Sequence, residues 1–349
     1  MSEKKPSGMS RRGFIRRAPA AVLSTSAASA LAAEAAAAEE AAAKDKNADK
    51  PMPKRVLGRT KLEVTAMTMG TAPCGMSPGV SVAQITEMTK TALDLGVNYI
   101  DTAPGYGNAE EGIGPAIGKR RKDTILGTKL YTDSVTEAKK LLANSLKMLK
   151  TDYVDILYFH QLGDRNLDKA RQDDGVYNFI LEQKKKGVCR FAGVTSHNRP
   201  GRVGPFLDVG DVDVVMMPVN FADIYTYGYE TEVMPVAKKH NVGVVAMKVF
   251  GGPFLGKYDD WCGRWNDENN TANVGVDNLE IAIRYALSVP GVATANLGVH
   301  KLYQVKEDVK LTKGFTPITD EERAKLAKLG KKWSAKWGEQ YGPVAEKKV

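Results

Sequence analysis

The chain has 349 residues, of which 43% are hydrophobic and 26% charged, so it is long enough to bury the core of one large domain rather than to remain disordered. Its formal charge of +9 does not indicate a nucleic-acid partner, because residues 1–33 hold six basic residues and one acid, which leaves +4 for the remainder. Three cysteines, none spaced as C-x-x-C, predict neither a fully paired disulfide framework nor a metal site.

The N-terminus resembles a twin-arginine signal peptide over residues 1–33. S-R-R-G-F-I-R at 10–16 precedes a weakly apolar, alanine-rich run, and small residues suited to cleavage lie at 30–33. The run is too short and too polar for a membrane anchor. The resemblance implies the Tat translocase as a partner and export to the periplasm or otherwise out of a bacterial cell. A basic disordered tail is the alternative interpretation.

Residues 34–53, rich in Ala, Glu and Lys, are typical of a semi-rigid linker, so we expect the folded domain to span residues 54–349. K-R-V-L-G-R-T-K-L-E-V-T predicts an N-terminal β-hairpin. Strand-like runs follow near 66–70, 97–100, 124–129, 153–159, 189–194, 213–219, 242–247 and 292–297, with helical patterns between most of them. Eight strands alternating with helices predict an α/β fold, a (β/α)8 TIM barrel, with a C-terminal helical extension after about residue 319.

Four side chains suited to proton transfer lie at the ends of three successive predicted strands. V-N-Y-I-D-T-A-P-G-Y-G at 97–107 carries Asp101 and then Tyr106, and the next two strands deliver Lys129 and His160. In a parallel barrel, reacting groups gather at the C-terminal strand ends. A nearby ammonium favours release of a tyrosine proton, a carboxylate keeps that ammonium charged, and a histidine can orient a substrate oxygen. The set is suited to protonating a carbonyl oxygen as a hydride reaches its carbon.

The motifs D-T-A-P-G-Y-G-N-A-E-E, G-T-K-L, L-Y-F-H and G-V-T-S-H, in this order, resemble the signatures of the aldo-keto reductase superfamily over residues 54–311. The resemblance implies a nicotinamide cofactor lying across the top of the barrel and catalytic roles for the four residues, with Tyr106 as general acid/base. The alternative is a buried Asp–Lys pair that only stabilises the fold. G-I-G-P-A-I-G at 112–118 is not a dinucleotide fingerprint, because it does not follow a strand, and we interpret it as a helix packed on the barrel.

The resemblance also assigns cofactor positions around the nicotinamide. Thr195 and Ser196 stand where the family hydrogen-bonds the nicotinamide carboxamide, and only Thr195 matches the family in residue type. Met216 stands where a glutamine is usual, and Met247 stands where many members stack an aromatic ring. A methionine thioether can still pack against the nicotinamide ring. Alternatively, either methionine could serve only as a residue of the hydrophobic core. Lys248 could reach the pyrophosphate as a point charge.

Near the C-terminus, N-L-G-V-H-K-L-Y-Q-V-K-E-D resembles the adenosine-phosphate segment. It places Gly298, His300, Gln304, Glu307 and Asp308 near the cofactor. Gln304 stands where NADP-preferring members often carry an arginine, and a guanidinium is the better clamp for a 2′-phosphate. The resemblance favours NADP, and this departure leaves NAD open.

Two predicted loops at the top of the barrel carry aromatic side chains, with Tyr225 after the sixth strand and Trp261 and Trp265 in a long loop at 249–274. Aromatic walls with polar handles suit a sugar-like carbonyl, or the rings could cover the loop's own small core. The sequence therefore predicts an exported NAD(P)-dependent oxidoreductase acting on a small carbonyl or alcohol. The alternative function is a nucleotide-binding sensor or partner protein with little turnover.

Overall fold

The structure is a computed structural model that describes residues 47, 50–251 and 278–345. The expected signal peptide, most of the expected linker, and both Trp261 and Trp265 lie outside these residues.

The predicted N-terminal hairpin is confirmed and lies across the start of the barrel strands. Strands β1 (Lys54–Val56) and β2 (Glu63–Thr65) pair antiparallel. The Arg55 guanidinium donates hydrogen bonds of 2.8 Å to the carbonyls of Leu287 and Val292. A Cβ on Gly58, whose φ is +48°, would lie 2.4 Å from the backbone nitrogen of Gly243. This glycine therefore lets the hairpin turn close the bottom of the barrel.

The eight predicted strands form a closed parallel barrel in the order β10-β3-β4-β5-β6-β7-β8-β9. Their bounds lie close to the predicted ones, because long apolar runs bounded by turns are a strong local signal. The strands are β3 Met67–Gly70, β4 Tyr99–Asp101, β5 Ile125–Leu130, β6 Val154–Phe159, β7 Cys189–Thr195, β8 Val214–Pro218, β9 Gly243–Met247 and β10 Val292–Gly298.

Helices follow the strands around the outside of the barrel. In the described residues they are α1 Ala72–Met76, α2 Val82–Asp94, α3 Ala109–Ile117, α4 Val135–Leu149, α5 Leu167–Ala170, α6 Val176–Lys185, α7 Pro200–Asp208, α8 Tyr229–Glu232, α9 Met234–Lys239, α10 Asn278–Ser288, α11 Leu302–Lys313 and α12 Asp320–Trp337. Among these helices, none has the length and apolar character needed to cross a membrane.

Helix α3 contains the glycine-rich run and packs closely on its neighbours, as predicted. A Cβ on Gly112 would meet the Ile85 side chain at 2.5 Å, and one on Gly114 would meet the Met148 carbonyl at 2.2 Å. The small residues therefore serve helix packing.

The C-terminal helix α12 is the predicted extension and begins with a capping box between Thr319 and Glu322. Its Trp333 ring packs 5.4 Å from the ring of Phe221, which follows β8. This contact places the C-terminal part of α12 near the top of the barrel, where β8 ends.

Candidate active site

Asp101 and Lys129 form a buried ion pair at the C-terminal end of the barrel. Lys129 Nζ lies 2.6 Å from Asp101 Oδ1 and donates a second hydrogen bond of 2.7 Å to the Thr102 carbonyl. Burial raises the pKa of Asp101 and lowers that of Lys129, and each charge opposes the shift of the other. The other carboxylate oxygen accepts a 2.9 Å hydrogen bond from Asn296 Nδ2. The pair is therefore fixed by three contacts in a water-poor site.

Tyr106 and His160 complete the group of four residues expected from the strand ends. Lys129 Nζ lies 4.8 Å from the centre of the Tyr106 ring, and the His160 ring meets the Tyr106 ring edge-on at 6.0 Å. Burial, and then the charges of Lys129, Arg165 and Lys248, hold the pKa of His160 well below its ordinary value. His160 is therefore neutral at pH 7 and can exchange hydrogen bonds with a substrate oxygen.

Two glycines set the position of the loop that carries Tyr106. A Cβ on Gly75, in α1, would lie 1.9 Å from the Tyr106 carbonyl oxygen. Gly107 has φ +52°, and its Cβ would lie 2.1 Å from the Gly75 carbonyl oxygen. Helix α1 and this loop can approach so closely only because both positions lack a side chain.

Two cavities open at this end of the barrel and share four lining residues. A narrow cleft is lined by Gly70, Ala72, Pro73, Asp101, Tyr106, His197, Met216, Met247, Lys248, Val249, Phe250, Asn296 and Gly298. A wider cavity of about 410 Å³ is lined by Ala72, Met76, Ala103, Pro104, Gly105, Tyr106, Lys129, Tyr131, Leu141, His160, Gln161, His197 and Lys248. Tyr106 therefore lies where the two cavities meet.

The narrow cleft fits a flat ring that carries an amide. Met216 and Met247 are almost fully buried and present apolar walls. Asn296 Oδ1 is buried and has no hydrogen-bond partner among the described residues. A Cβ on Gly70 would lie 2.5 Å from this oxygen, so the glycine leaves the approach to it open. A nicotinamide ring would lie between these apolar walls, and its carboxamide N–H would donate the hydrogen bond that Asn296 Oδ1 lacks.

Thr195 and Ser196 lie buried at the end of β7, with their hydroxyl groups already hydrogen-bonded inside the fold. Thr195 Oγ1 accepts from the backbone nitrogen of Gln161 at 2.9 Å. Ser196 Oγ accepts from the nitrogen of Gly163 at 3.1 Å and donates to the Asn198 carbonyl at 2.8 Å. Both hydroxyls therefore hold neighbouring loop backbone in place, and their contact with a nicotinamide carboxamide stays a prediction.

The predicted adenosine-phosphate segment starts at Gly298, which lines the narrow cleft, and continues through the half-buried His300. The structure gives Gln304 a capping role that the sequence did not predict. Its Oε1 accepts hydrogen bonds from the backbone nitrogens of His300 and Lys301, at 2.9 and 3.2 Å, and the residue is 2% exposed. Gln304 therefore caps helix α11 through Oε1, and its contact with a cofactor stays a prediction. On the same helix, Glu307 is half-buried and Asp308 is fully buried.

Tyr225, predicted to lie in a substrate loop, is not among the described residues that line either cavity. Its ring lies beside Gly330 of α12, with the Lys331 ammonium 5.6 Å from the ring centre. Tyr341, from the segment after α12, lies near His197 and Lys248; its ring stacks on Tyr227 at 5.4 Å and its hydroxyl donates to the Gly251 carbonyl.

Sequence reasoning missed two polar residues of the site, Asn296 and His197. His197 comes two residues after the end of β7, so the strand-end argument that found His160 could have found it as well. Asn296 is the polar member of V-A-T-A-N-L-G, and an amide inside an apolar strand needs a buried partner, which is Asp101 here. Within the described part of the chain, no three His, Cys, Asp or Glu side chains are grouped so as to hold a metal ion.

Comparison with known proteins gives the family and the fold of this chain. Residues 66–331 match the family model described as Aldo/keto reductase family. The chain is 28% identical over 303 residues to the uncharacterized oxidoreductase YqkF of Bacillus subtilis, covering 78% of this chain and 94% of that protein. It is 25% identical over 285 residues to L-galactose dehydrogenase of Arabidopsis thaliana, covering 73% and 86%. An aldo-keto reductase from Klebsiella pneumoniae, solved in complex with NADPH, has the same fold, with a TM-score of 0.64 at 23% identity and coverage of 81% and 95%.

Proposed function

The chain belongs to the aldo/keto reductase family of oxidoreductases, and from that premise we propose that it is an exported enzyme that transfers hydride between a nicotinamide nucleotide and a small carbonyl or alcohol. The observation that carries this proposal is the placement of Tyr106 at the junction of a cleft shaped for a flat ring and a cavity of about 410 Å³. A carbonyl group held in the wider cavity can there meet both a hydride donor and a proton donor.

Several residues of the site take part in proton transfer, each in a different role. A bound reduced nicotinamide supplies the hydride. Tyr106 donates its proton to the carbonyl oxygen, and the ammonium of Lys129 favours the phenolate that remains. Asp101 and the Thr102 carbonyl hold that ammonium in place. Neutral His160 orients the carbonyl oxygen towards Tyr106. In the reverse direction, the phenolate accepts the proton of an alcohol.

The cofactor that we propose is NADP. Met216, Met247 and Asn296 would hold the nicotinamide, and Gly298 allows the chain to pass close to the phosphates. Family membership supports NADP, and NADPH is what the Klebsiella pneumoniae protein of the same fold binds. Because Gln304 Oε1 accepts the hydrogen bonds that cap α11, only its Nε2 would be left to donate to a 2′-phosphate.

Export through the twin-arginine pathway is the finer part of the proposal. It rests on S-R-R-G-F-I-R and the alanine-rich run after it. This pathway carries folded proteins, so the enzyme would acquire its nucleotide before it leaves the cytoplasm. Within the proposal, a sugar-like substrate is supported by the relative from Arabidopsis thaliana, which is named for such an activity.

Turnover separates the enzyme from a nucleotide-binding sensor. The test follows NADPH absorbance with a panel of aldehydes and ketones, and quenching of tryptophan fluorescence by NADPH reports binding in the same samples. We expect both binding and turnover. Binding with no turnover on any carbonyl would instead favour the sensor, and the absence of binding would reject both functions.

A further inference from the structure

We propose that Lys248 and His197 form an anion-binding subsite that makes the enzyme select carbonyl substrates carrying a carboxylate group. This inference rests on the proposed reductase function and adds a class of substrate to it. Both side chains line the narrow cleft as well as the wider cavity. They therefore border the place where the reacting carbon must lie.

The backbone of Lys248 is held in a conformation that favours glycine. Its φ is +56°, in the left-handed region. Its carbonyl oxygen accepts hydrogen bonds of 2.9 Å from Asn220 Nδ2 and 2.8 Å from the Gly251 nitrogen. Such a conformation costs free energy in a lysine and persists only where its surroundings impose it. It places the ammonium in the cavity wall at the end of β9.

Within the described residues, the ammonium of Lys248 has no ion-pair partner. The described lining of the wider cavity contains two lysines and no carboxylate, and Lys129 is already paired with Asp101. Lys248 makes no ion pair or hydrogen bond through its side chain with any residue in the described ranges. Asp223 acts on Lys248 electrostatically without forming an ion pair with it, and burial raises the pKa of the Asp223 carboxyl to about 6. The Asp223 oxygens are also occupied by Asn220 Nδ2 at 2.6 Å and Gln340 Nε2 at 3.3 Å.

His197 supplies a neutral hydrogen-bonding group beside this ammonium. Its Nδ1 is buried and finds no partner in the described part of the chain. Burial, and then the charge of Lys248, hold the pKa of His197 well below its ordinary value. The Tyr341 ring lies 6.1 Å from the His197 ring and 5.5 Å from Lys248 Nζ, so it backs both groups. A carboxylate would accept hydrogen bonds from Lys248 Nζ and His197 Nδ1. A neutral group would form weaker hydrogen bonds with them.

The test compares aldehydes that carry a carboxylate with their primary amides, which have nearly the same size and no charge. Glyoxylate, succinic semialdehyde and 4-carboxybenzaldehyde vary the distance between the carbonyl and the carboxylate. We expect the wild type to prefer at least one acid over its amide by about 10- to 100-fold in kcat/KM, the range of one charged hydrogen bond. Lys248→Met should bring this ratio close to one, and Lys248→Arg should keep most of it.

Lys147→Met is the matched control, since Lys147 is exposed on α4 and lines neither cavity. It should leave the acid-to-amide ratio at the wild-type value. The proposal is overturned if the wild type shows no preference for any acid. It is also overturned if Lys248→Met weakens NADPH binding while the ratio stays unchanged, because Lys248 would then serve the cofactor phosphates.

A binding measurement keeps this test separate from the proposed function. Calorimetry on the protein saturated with NADPH compares benzoate with benzamide, which needs no turnover. We expect benzoate to bind at least about 10-fold more tightly, and Lys248→Met to remove the difference. Equal binding by the wild type rejects the subsite. Absence of turnover on every carbonyl, with benzoate still preferred, rejects the reductase function and keeps the anion site.

Discussion

Lys129 Nζ lies 2.6 Å from Asp101 Oδ1 in a part of the barrel where the two residues are 1% and 2% exposed. Removing one partner would leave the other charge buried without compensation. We expect Asp101→Asn to lower the free energy of unfolding by about 3–5 kcal/mol, measured by urea denaturation. Asp208→Asn removes a carboxylate from an exposed ion pair with Lys239 and serves as the control. A loss no larger than that of the control would show that water reaches the Lys129 site.

The proton-donor role of Tyr106 predicts a separation of binding from chemistry. Tyr106→Phe removes a hydroxyl and little volume, so NADPH binding should stay within a few-fold of the wild type. Carbonyl reduction should fall by roughly 10² or more, because general acid catalysis contributes about that factor. Steady-state rates and fluorescence titration measure the two quantities. A nearly normal rate of reduction would mean that another group supplies the proton.

The close approach of Gly75 to the Tyr106 loop predicts that a single methyl group there lowers activity. Alanine favours helices, yet in Gly75→Ala its Cβ would lie 1.9 Å from the Tyr106 carbonyl oxygen and must displace the loop. We expect kcat to fall by at least about 10-fold, since small misplacements of a catalytic group are costly. Gly201→Ala in α7 is the matched control, because the nearest atom to its Cβ is 3.9 Å away. Equal rates in the two variants would contradict this account.

The two half-buried histidines of the site predict that stability falls in mild acid. The pKa values of His160 and His197 lie well below the ordinary value, so the unfolded chain binds more protons than the folded one below about pH 6.5. Stability is therefore complete above that pH and declines as the pH falls. Between pH 7.5 and 5.5, each histidine should contribute up to about 1.4 kcal/mol of this loss.

Urea denaturation at the two pH values measures the effect on stability. The double variant His160→Gln and His197→Gln should show a clearly smaller decline than the wild type. If both proteins lose the same free energy of unfolding, other groups dominate the acid sensitivity.

The export proposal predicts a specific need for the arginine pair at the N-terminus. Changing Arg11 and Arg12 to lysine keeps the positive charge. It should leave the folded precursor in the cytoplasm, because the Tat translocase recognises the arginine side chains and not only their charge. Cell fractionation followed by immunoblotting measures this, with Lys4→Arg and Lys5→Arg as the charge-preserving control. Normal export of the Lys–Lys variant would reject the twin-arginine assignment.

The sequence by itself determined the barrel and the positions of its four central polar residues. Alternation of apolar runs with helical patterns is local information, and it predicted all eight strands. Asp101, Tyr106, Lys129 and His160 could be grouped because parallel strands in a barrel all end on the same side. That rule needs only the order of the strands.

Only the tertiary structure decided which side chains meet and what each one faces. Asn296 reaches Asp101 across 195 residues because β10 pairs with β3 and closes the barrel. Gln304 Oε1 caps α11, a contact that its place in a motif did not predict. The left-handed backbone of Lys248 depends on the Asn220 side chain from another loop. Each partner is set by distances between segments far apart in sequence, which neither local patterns nor family motifs specify.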